Sequence, residues 1–229
     1  MRQLPRLIFG ALVVMVLGLF AVRGADAISV NFSSVTNATV EFLGTGDTFR
    51  MVDSGGGDTG TTRDFAVTSI SGGGFASLVG LLGNITGTFT IGPITTVGPV
   101  QTADVSGAGM LSIDDGVASL TADLDWLDIL TFATTGAVNS SGTVNLQNFV
   151  YAGSNVDLIA LAGSPAGIVT ASFQFIPPQS LTALTTNGAI NSTSYSGSLS
   201  PVPEPTAMFL GGTGLVWLAY AARRRLFGR

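Results

Sequence analysis

Residues Met110–Leu127 read MLSIDDGVASLTADLDWL, and this stretch decides the fold class of the chain. Its centre, Asp115-Gly116, is a dipeptide typical of the tight turn between two antiparallel strands. After the turn, apolar residues occupy every second position from Leu120 to Trp126, and polar residues fill the positions between them. Because successive side chains of a strand point to opposite faces, the stretch predicts a β-hairpin with one apolar and one acidic face.

The same alternation and turn punctuation continue on both sides of this hairpin, from Ile28 to Ser200. A second turn is predicted at Asn187-Gly188, between the strand candidates LTALTT and AINSTSY. Other strand candidates are SVNFSS, TVEFLG, DFAVTSI, ITGTFTI, TVNLQNFV and IVTASFQF. The segments LTFATTG and VDLIALAGSPAG fit either a strand or a short helix. Roughly ten or more short strands at this spacing predict an all-β fold, a single β-sandwich or jelly-roll-like domain over residues 28–200 with Phe173 and Phe175 in its core.

Three missing residue types narrow the chemistry, since the chain contains no cysteine, histidine or lysine. Disulfides, thiolate metal sites and Ser-His-Asp triads are therefore excluded, as are Schiff-base lysines and phosphate-binding P-loops. We accordingly predict that the protein is not an enzyme and carries no cofactor.

The charge of the chain is distributed unevenly. Residues 28–201 hold two arginines and twelve acidic residues, a net charge of −10, whereas the other seven basic residues lie near the two ends. An acidic domain repels phosphate backbones, so nucleic acid is not expected among the partners.

Carboxylates are the remaining candidates for a site. Asp123 and Asp125 share one face of the predicted strand, about 7 Å apart, which makes them candidate metal ligands. The simpler interpretation, solvated acids on an outer face, is favoured. A calcium-dependent glycan-binding module remains an alternative, although Trp126, Tyr151 and Tyr195 are the only polar aromatic residues in the domain and Trp126 is expected to be buried. A carboxylate-based glycoside hydrolase or lyase is a third possibility.

The first 27 residues carry the marks of a secretory signal peptide. Two arginines precede the uninterrupted apolar stretch Leu7–Val22, and Ala25 and Ala27 supply the small-x-small pattern that signal peptidase recognises. We expect cleavage after Ala27, which places the mature chain outside the cytoplasm. An uncleaved N-terminal anchor is the alternative.

The last 29 residues, 201–229, combine three signals. Pro203, Glu204 and Pro205 precede the uncharged segment 206–222, which is followed by Arg223, Arg224 and Arg225. As a helix, those seventeen residues would extend about 26 Å, close to the thickness of a hydrocarbon core. Clustered arginines stay on the cytoplasmic side, so we predict a transmembrane helix at 206–222 with the domain on the outer side.

This arrangement resembles the PEP-CTERM sorting signal of Gram-negative bacteria, in which a Pro-Glu-Pro motif, an apolar run and an arginine-rich end follow one another. The resemblance covers about the last tenth of the chain, together with the signal peptide that such proteins share. It implies recognition by an exosortase, a multi-spanning membrane protease, followed by release or transfer to the cell surface. It also implies association with exopolysaccharide and biofilm matrix.

The sequence therefore predicts an exported surface or extracellular-matrix protein. Signal peptidase, an exosortase-type protease, the membrane and exopolysaccharide are its expected partners. Its expected route leads through an inner-membrane intermediate, with the domain on the periplasmic side, to the cell surface or the extracellular space. Pro203, Glu204 and Pro205 would serve recognition, and Arg223, Arg224 and Arg225 retention. An ordinary single-span anchor is the alternative.

Overall fold

The computed structural model describes residues 28–57, 62–72, 74–132, 140–186 and 188–202. The predicted signal peptide with Ala25 and Ala27, the Pro-Glu-Pro motif, the span 206–222 and the three arginines lie outside the described residues. Within the described part, no helix has the length and apolar character needed to cross a bilayer.

Thirteen strands account for most of the described chain. They are β1 (Ser29–Ser34), β2 (Thr39–Leu43), β3 (Thr48–Val52), β4 (Phe65–Ser71), β5 (Leu82–Ile91), β6 (Thr95–Val97), β7 (Val100–Ser106), β8 (Ala108–Asp114), β9 (Ser119–Phe132), β10 (Ser140–Val150), β11 (Ala166–Phe173), β12 (Ile190–Thr193) and β13 (Tyr195–Val202). The all-β class predicted from the sequence is therefore confirmed.

Eight of these strands form a closed antiparallel sheet. Around the ring the order is β5-β4-β1-β13-β11-β10-β9-β8, and β8 pairs again with β5. The prediction of a β-sandwich or jelly roll is corrected in this respect. Alternation of apolar and polar residues describes a sheet with one buried face, whether that sheet is open or closed on itself. The closure depends on which strands pair, and the pattern within each strand does not contain that information.

A kink at Gly107 lets one nearly continuous segment pair with two neighbouring strands. Strands β7 and β8 run almost continuously between β5 and β9, interrupted at Gly107, whose φ of +132° is a conformation that L side chains rarely adopt. A Cβ atom at this position would lie 2.6 Å from the carbonyl oxygen of Thr88. The site therefore requires glycine for both backbone conformation and space.

The second half of β5 carries a smaller sheet formed by β3, β2 and β12. Its inner face contributes Phe42 and Phe49 to the core. The Phe49 ring meets Trp126 of β9 at 4.9 Å between centroids, and Phe42 meets Phe173 of β11 at 5.9 Å. Burying each aromatic side chain contributes roughly 1.5–3 kcal/mol. Phe173 and Phe175 are buried as the sequence predicts.

The two helices and a short 3-10 helix bury apolar side chains against the sheets. Helix α1 (Val156–Ala162) begins at Asn155, whose side chain accepts hydrogen bonds from the backbone N–H groups of Asp157 and Leu158 at 3.0 and 3.3 Å. It buries Leu158 and Leu161, and the 3-10 helix Ala76–Leu78 buries Leu78. The sequence of VDLIALAGSPAG fits either a strand or a helix, and its first seven residues form this helix.

Helix α2 (Leu181–Thr186) corrects the prediction of a strand for LTALTT. The hydroxyl of Ser180 accepts a hydrogen bond from the backbone N–H of Ala183 at 3.1 Å, which caps the first turn. Leu181, Leu184 and Thr185 are buried, a three-and-four-residue spacing that fits a helix. Asn187 of the predicted second turn lies outside the described residues, and strand β12, which follows, pairs with β2.

The hairpin predicted around Asp115-Gly116 is present between β8 and β9. Asp114 pairs with Ser119, and the backbone N–H of Asp115 donates to the carbonyl of Ala118 at 3.1 Å. The two central turn residues are therefore Gly116 and Val117, one position later than the dipeptide signal indicates. The predicted alternation along β9 is confirmed, with the apolar side chains from Leu120 to Trp126 buried.

Candidate functional site

A groove of about 880 Å³ lies over the outer face of β9, between the kinked strand β7–β8 and the end of β10. Among its lining residues are the two candidate ligands, Asp123 and Asp125. Both side chains are exposed, as the simpler interpretation of solvated acids expects. The structure adds Gln147 and Asn148 of β10 to the same groove.

Three irregularities of the backbone shape this groove. On one side, the pairing of β7 with β9 ends at Asp104 opposite Asp128, and pairing with β8 begins at Ala108 opposite Asp125. On the other side, Leu127 forms a bulge, because β10 pairs with the residues before and after it. Bulges re-aim side chains and are frequent beside functional sites.

The third irregularity is Asn148, whose φ of +54° places it in the left-handed region. Asparagine tolerates this region better than most residues. Its side-chain amide donates a hydrogen bond to Oδ2 of Asp123 at 2.7 Å. The bend at Asn148 thus orients one of the two carboxylates of the groove.

The groove has no positive charge of its own. The only two basic residues between 28 and 202 are Arg50 and Arg63, and they are paired elsewhere, Arg50 with Glu41 at 3.0 Å and Arg63 with Asp114. Two further carboxylates, Asp104 and Asp128, belong to paired positions of β7 and β9 beside a smaller cavity of about 370 Å³. The outer face of β7 and β9 is consequently acidic.

The metal hypothesis for Asp123 and Asp125 gains no further ligand from the described residues. Among them, no three acidic, histidine or cysteine side chains converge on a common point. Calcium takes six to eight oxygen ligands, of which two carboxylates supply a minority. The groove offers instead carboxylate acceptors beside amide donors, the groups that bind hydroxyl-rich ligands through hydrogen bonds.

Trp126 lines the groove but offers no surface for stacking on a sugar. The side chain is 2% exposed, as expected from the sequence, and its indole packs against Phe49, Phe89 and Phe173. Its Nε1 atom is buried without a hydrogen-bond partner among the described residues. Trp126 is therefore a core residue, and its indole lies on the opposite face of β9 from Asp123 and Asp125.

Tyr151 belongs to a separate hydrogen-bond network at one end of the closed sheet. Its hydroxyl donates to the Asp115 carboxylate and accepts from the backbone N–H of Asn155 at 3.0 Å. The Tyr151 hydroxyl and the backbone N–H groups of Ala118 and Val117 hold the pKa of Asp115 below its usual value. Burial, together with Asp115, raises the pKa of Tyr151. This network fixes the β8–β9 turn to the start of helix α1.

Asp114 and Asp157 extend the same network. The backbone N–H of Gly116 lowers the pKa of Asp114, and Ser119 and Arg63 act in the same direction. Asp157 accepts hydrogen bonds from the backbone N–H and the hydroxyl of Ser77. These carboxylates are engaged in holding loops together.

Tyr195, the third polar aromatic residue, is also a core residue. The side chain is 3% exposed, and its hydroxyl has no hydrogen-bond partner among the described residues. Burial and the negative charge of Asp64 raise the pKa of Tyr195 well above its usual value. Neither Tyr195 nor Trp126 is therefore available at the surface for a ligand.

The sequence singled out the two aspartates of the groove but not its two amides. Gln147 reaches the site because the register of the sheet places it opposite Asp123. No local pattern marks that register. Comparisons of the chain with protein-family models, with curated proteins and with solved structures find no match.

Proposed function

We propose that this chain is an exported surface or extracellular-matrix protein, sorted through its C-terminal segment by an exosortase-type protease. The observation that carries the proposal is the order of three signals: Pro203, Glu204 and Pro205, then seventeen uncharged residues, then Arg223, Arg224 and Arg225. Prolines keep a segment extended and free of sheet hydrogen bonds, a suitable form for an enzyme groove. The arginines would hold the chain in the membrane until it is cut.

The extent of the folded domain is compatible with processing at both ends. Strand β1 begins at Ser29, two residues after the predicted signal peptidase site at Ala27, and β13 ends at Val202, directly before Pro203. The two strands pair with each other, and β13 also pairs with β11. Cleavage after Ala27 and near the Pro-Glu-Pro motif would thus leave the sheet intact.

In this proposal the protein is a substrate of processing enzymes, and its own role is structural or interactive. The domain would remain on the periplasmic side of the inner membrane as an intermediate and then reach the cell surface or the extracellular space. Exopolysaccharide is the proposed matrix partner. The domain has exposed carboxylates, amides and hydroxyls for such contacts, and its charge disfavours nucleic acid.

Intact mass spectrometry of the native protein, from membrane and extracellular fractions of its own host, tests the proposal. A chain that begins near Ile28 and ends close to residues 203–205 is the expected result. A matched variant, Glu204→Gln, keeps the size and apolar run of the C-terminal segment while removing its one negative charge. Slower conversion of this variant to the short form would identify Glu204 as part of the recognition motif. A chain that retains Arg229 and occurs in the membrane alone contradicts sorting and leaves a simple anchored ectodomain.

A glycan-binding module is the second candidate, favoured by the groove of Asp123, Asp125, Gln147 and Asn148. A glycan array screened with and without calcium tests it. Asp125→Asn would weaken binding in this groove, whereas Asp47→Asn, outside the groove, would leave it unchanged. Equal binding by both variants, or none by the wild type, counts against this function.

A further inference from the structure

Both ends of the described domain leave it on the same side. Strands β1 and β13 are antiparallel neighbours, with Val30 opposite Leu199. The first residue of β1, Ser29, and the last residue of β13, Val202, therefore lie at one end of the closed sheet. We call this end the chain-end pole and define it by Ser29, Val202, the β8–β9 turn and helix α1.

The strand register places the other elements of the pole unambiguously. Ala166 at the start of β11 pairs with Val202, and Val150 at the end of β10 pairs with Thr121 near the start of β9. The 3-10 helix joins α1 through Ser77, whose hydroxyl donates to Asp157 and lies 2.9 Å from Oδ1 of Asn155. The pole is thus one continuous surface built from consecutive strand ends, a turn and two short helices.

Apolar side chains project from this pole into solvent. They are Val79 (50% exposed), Val117 (91%), Val150 (61%), Val156 (71%) and Ile159 (50%). The exposed parts of these side chains gain no burial from the fold of the domain itself. An apolar or interfacial environment would remove them from water at about 25 cal/mol per Å² of apolar surface.

The carboxylates of the pole are already engaged within the protein. Asp114 pairs with Arg63, Asp115 accepts from Tyr151, and Asp157 accepts from Ser77. Three acids and one arginine nevertheless leave the pole with a negative charge, which disfavours a strongly anionic surface. A surface with no net charge suits it better.

The length of the connection to the predicted span limits how far this pole can lie from the membrane. Three residues, 203–205, separate Val202 from the uncharged segment that begins at Thr206. Four Cα–Cα steps in an extended chain cover at most about 14 Å. While the chain is anchored, this tether would hold Val202 within about 14 Å of the start of the predicted span, and so would keep the pole next to the membrane surface.

We propose that the chain-end pole docks on the outer surface of the membrane, with the side chains of Val79, Val117, Val150, Val156 and Ile159 inserted into the headgroup region of a zwitterionic lipid surface. This inference rests on the proposed function, since it requires the anchored intermediate. Apolar side chains at the edge of a domain bind such interfaces in proportion to the area they bury. Tethering gives a high effective concentration, so weak contacts suffice to orient the domain.

The absence of native cysteine allows a direct test on the full chain with single-cysteine labelling. Val156 at the pole and Val97, the last residue of β6 at the opposite end of the sheet, are matched valines with exposures of 71% and 72%. Val156→Cys and Val97→Cys would each carry an environment-sensitive fluorophore, and the full chain would be reconstituted in phosphatidylcholine vesicles containing nitroxide-labelled lipid. We expect lipid quenching of the probe at position 156 to exceed that at position 97 several-fold.

Two further measurements separate the possible failures. Flotation of the vesicles reports whether the chain is anchored. A chain that does not float contradicts the predicted span, and the docking inference fails with it. A chain that floats with equal quenching at positions 156 and 97 overturns the docking inference alone and leaves the span intact. Replacing the neighbouring Ile159 with Ser, in the Val156→Cys background, should reduce quenching, and circular dichroism verifies that this exposed substitution leaves the fold unchanged.

Discussion

Gly142 of β10 is a position where one added methyl group should disrupt the packing of the core around Trp126. A Cβ atom there would lie 2.1 Å from Cζ3 of Trp126 and 3.0 Å from the carbonyl oxygen of Asp128. Ordinary carbon contacts lie at about 3.5 Å or more, so the indole would have to retreat by about 1.4 Å. The surrounding Phe49, Phe89 and Phe173 rings leave no such space.

We therefore expect Gly142→Ala to lower the free energy of unfolding by about 3 kcal/mol, the upper end of the overpacking range. For a domain of this size the melting temperature would fall by roughly 6–12 °C. Urea and thermal unfolding of the full chain in a mild detergent, followed by circular dichroism, measure both quantities. Gly163→Ala is the matched control, because a Cβ atom there meets its nearest neighbour at 3.4 Å and φ is −72°. This variant should be neutral or slightly stabilising.

A double-mutant cycle identifies the cause. Trp126→Phe removes the ring atoms that Gly142→Ala would strike, so the second substitution should cost much less in that background. The reasoning is refuted if Gly142→Ala alone changes stability by less than about 0.5 kcal/mol. Equal costs of Gly142→Ala with and without the indole would place the strain elsewhere.

Three more outcomes are expected from the same unfolding assays. Asp115 has a lowered pKa, so the unfolded state binds more protons than the folded state in acid. The contribution of Asp115 to the free energy of unfolding is therefore fully present above its usual pKa of 3.8 and is lost as the pH falls below that value. Asp115→Asn should flatten stability against pH in that acid range, and an unchanged acid limb would contradict the network with Tyr151. Tyr195 has a raised pKa, so its contribution to the free energy of unfolding is present up to its usual pKa of 10.0 and is lost as the pH rises beyond that value. Tyr195→Phe should therefore flatten the alkaline limb and, by removing a buried hydroxyl without a partner, stabilise the domain by about 1 kcal/mol at neutral pH; a marked loss of stability there would contradict this. Asn148→Ala should lower the free energy of unfolding by about 1–3 kcal/mol, because alanine tolerates a φ of +54° poorly and cannot donate to Asp123. Asn148→Gly should lower it by less, since glycine adopts this conformation freely. A reversed order would show that the backbone conformation is not the cause.

The strand content was accessible from the sequence because its signal is local. Alternation along Leu120–Trp126 and the turn signal at Asp115-Gly116 depend on neighbouring residues alone, and both predict the β8–β9 hairpin. The sequence predicts a strand for LTALTT because six residues with three threonines fit the period of a strand as well as that of a helix. The buried positions Leu181 and Leu184, together with the cap at Ser180, decide for the helix.

Only two of the four polar residues of the candidate site could be predicted, because only they have a local sequence signal. Asp123 and Asp125 stand out within one strand, so the sequence could name them. Gln147 and Asn148 join them through the register between β9 and β10, and the bend at Asn148 has no local signature. Long-range pairing is a property of two segments together, and single-segment patterns do not specify it.

The sequence by itself determined the all-β class, the acidic charge of residues 28–201 and the chemistry that missing histidine, cysteine and lysine exclude; the export and sorting signals near its two ends stay predictions. Each of these depends on composition or on residues close together along the chain. The tertiary structure alone decided that the sheet closes, that β7 and β8 act as one kinked strand, and that Ser29 and Val202, at the two ends of the described domain, lie at one pole. These features depend on which strands become neighbours, and that choice is made by the packing of the whole core rather than by any one strand.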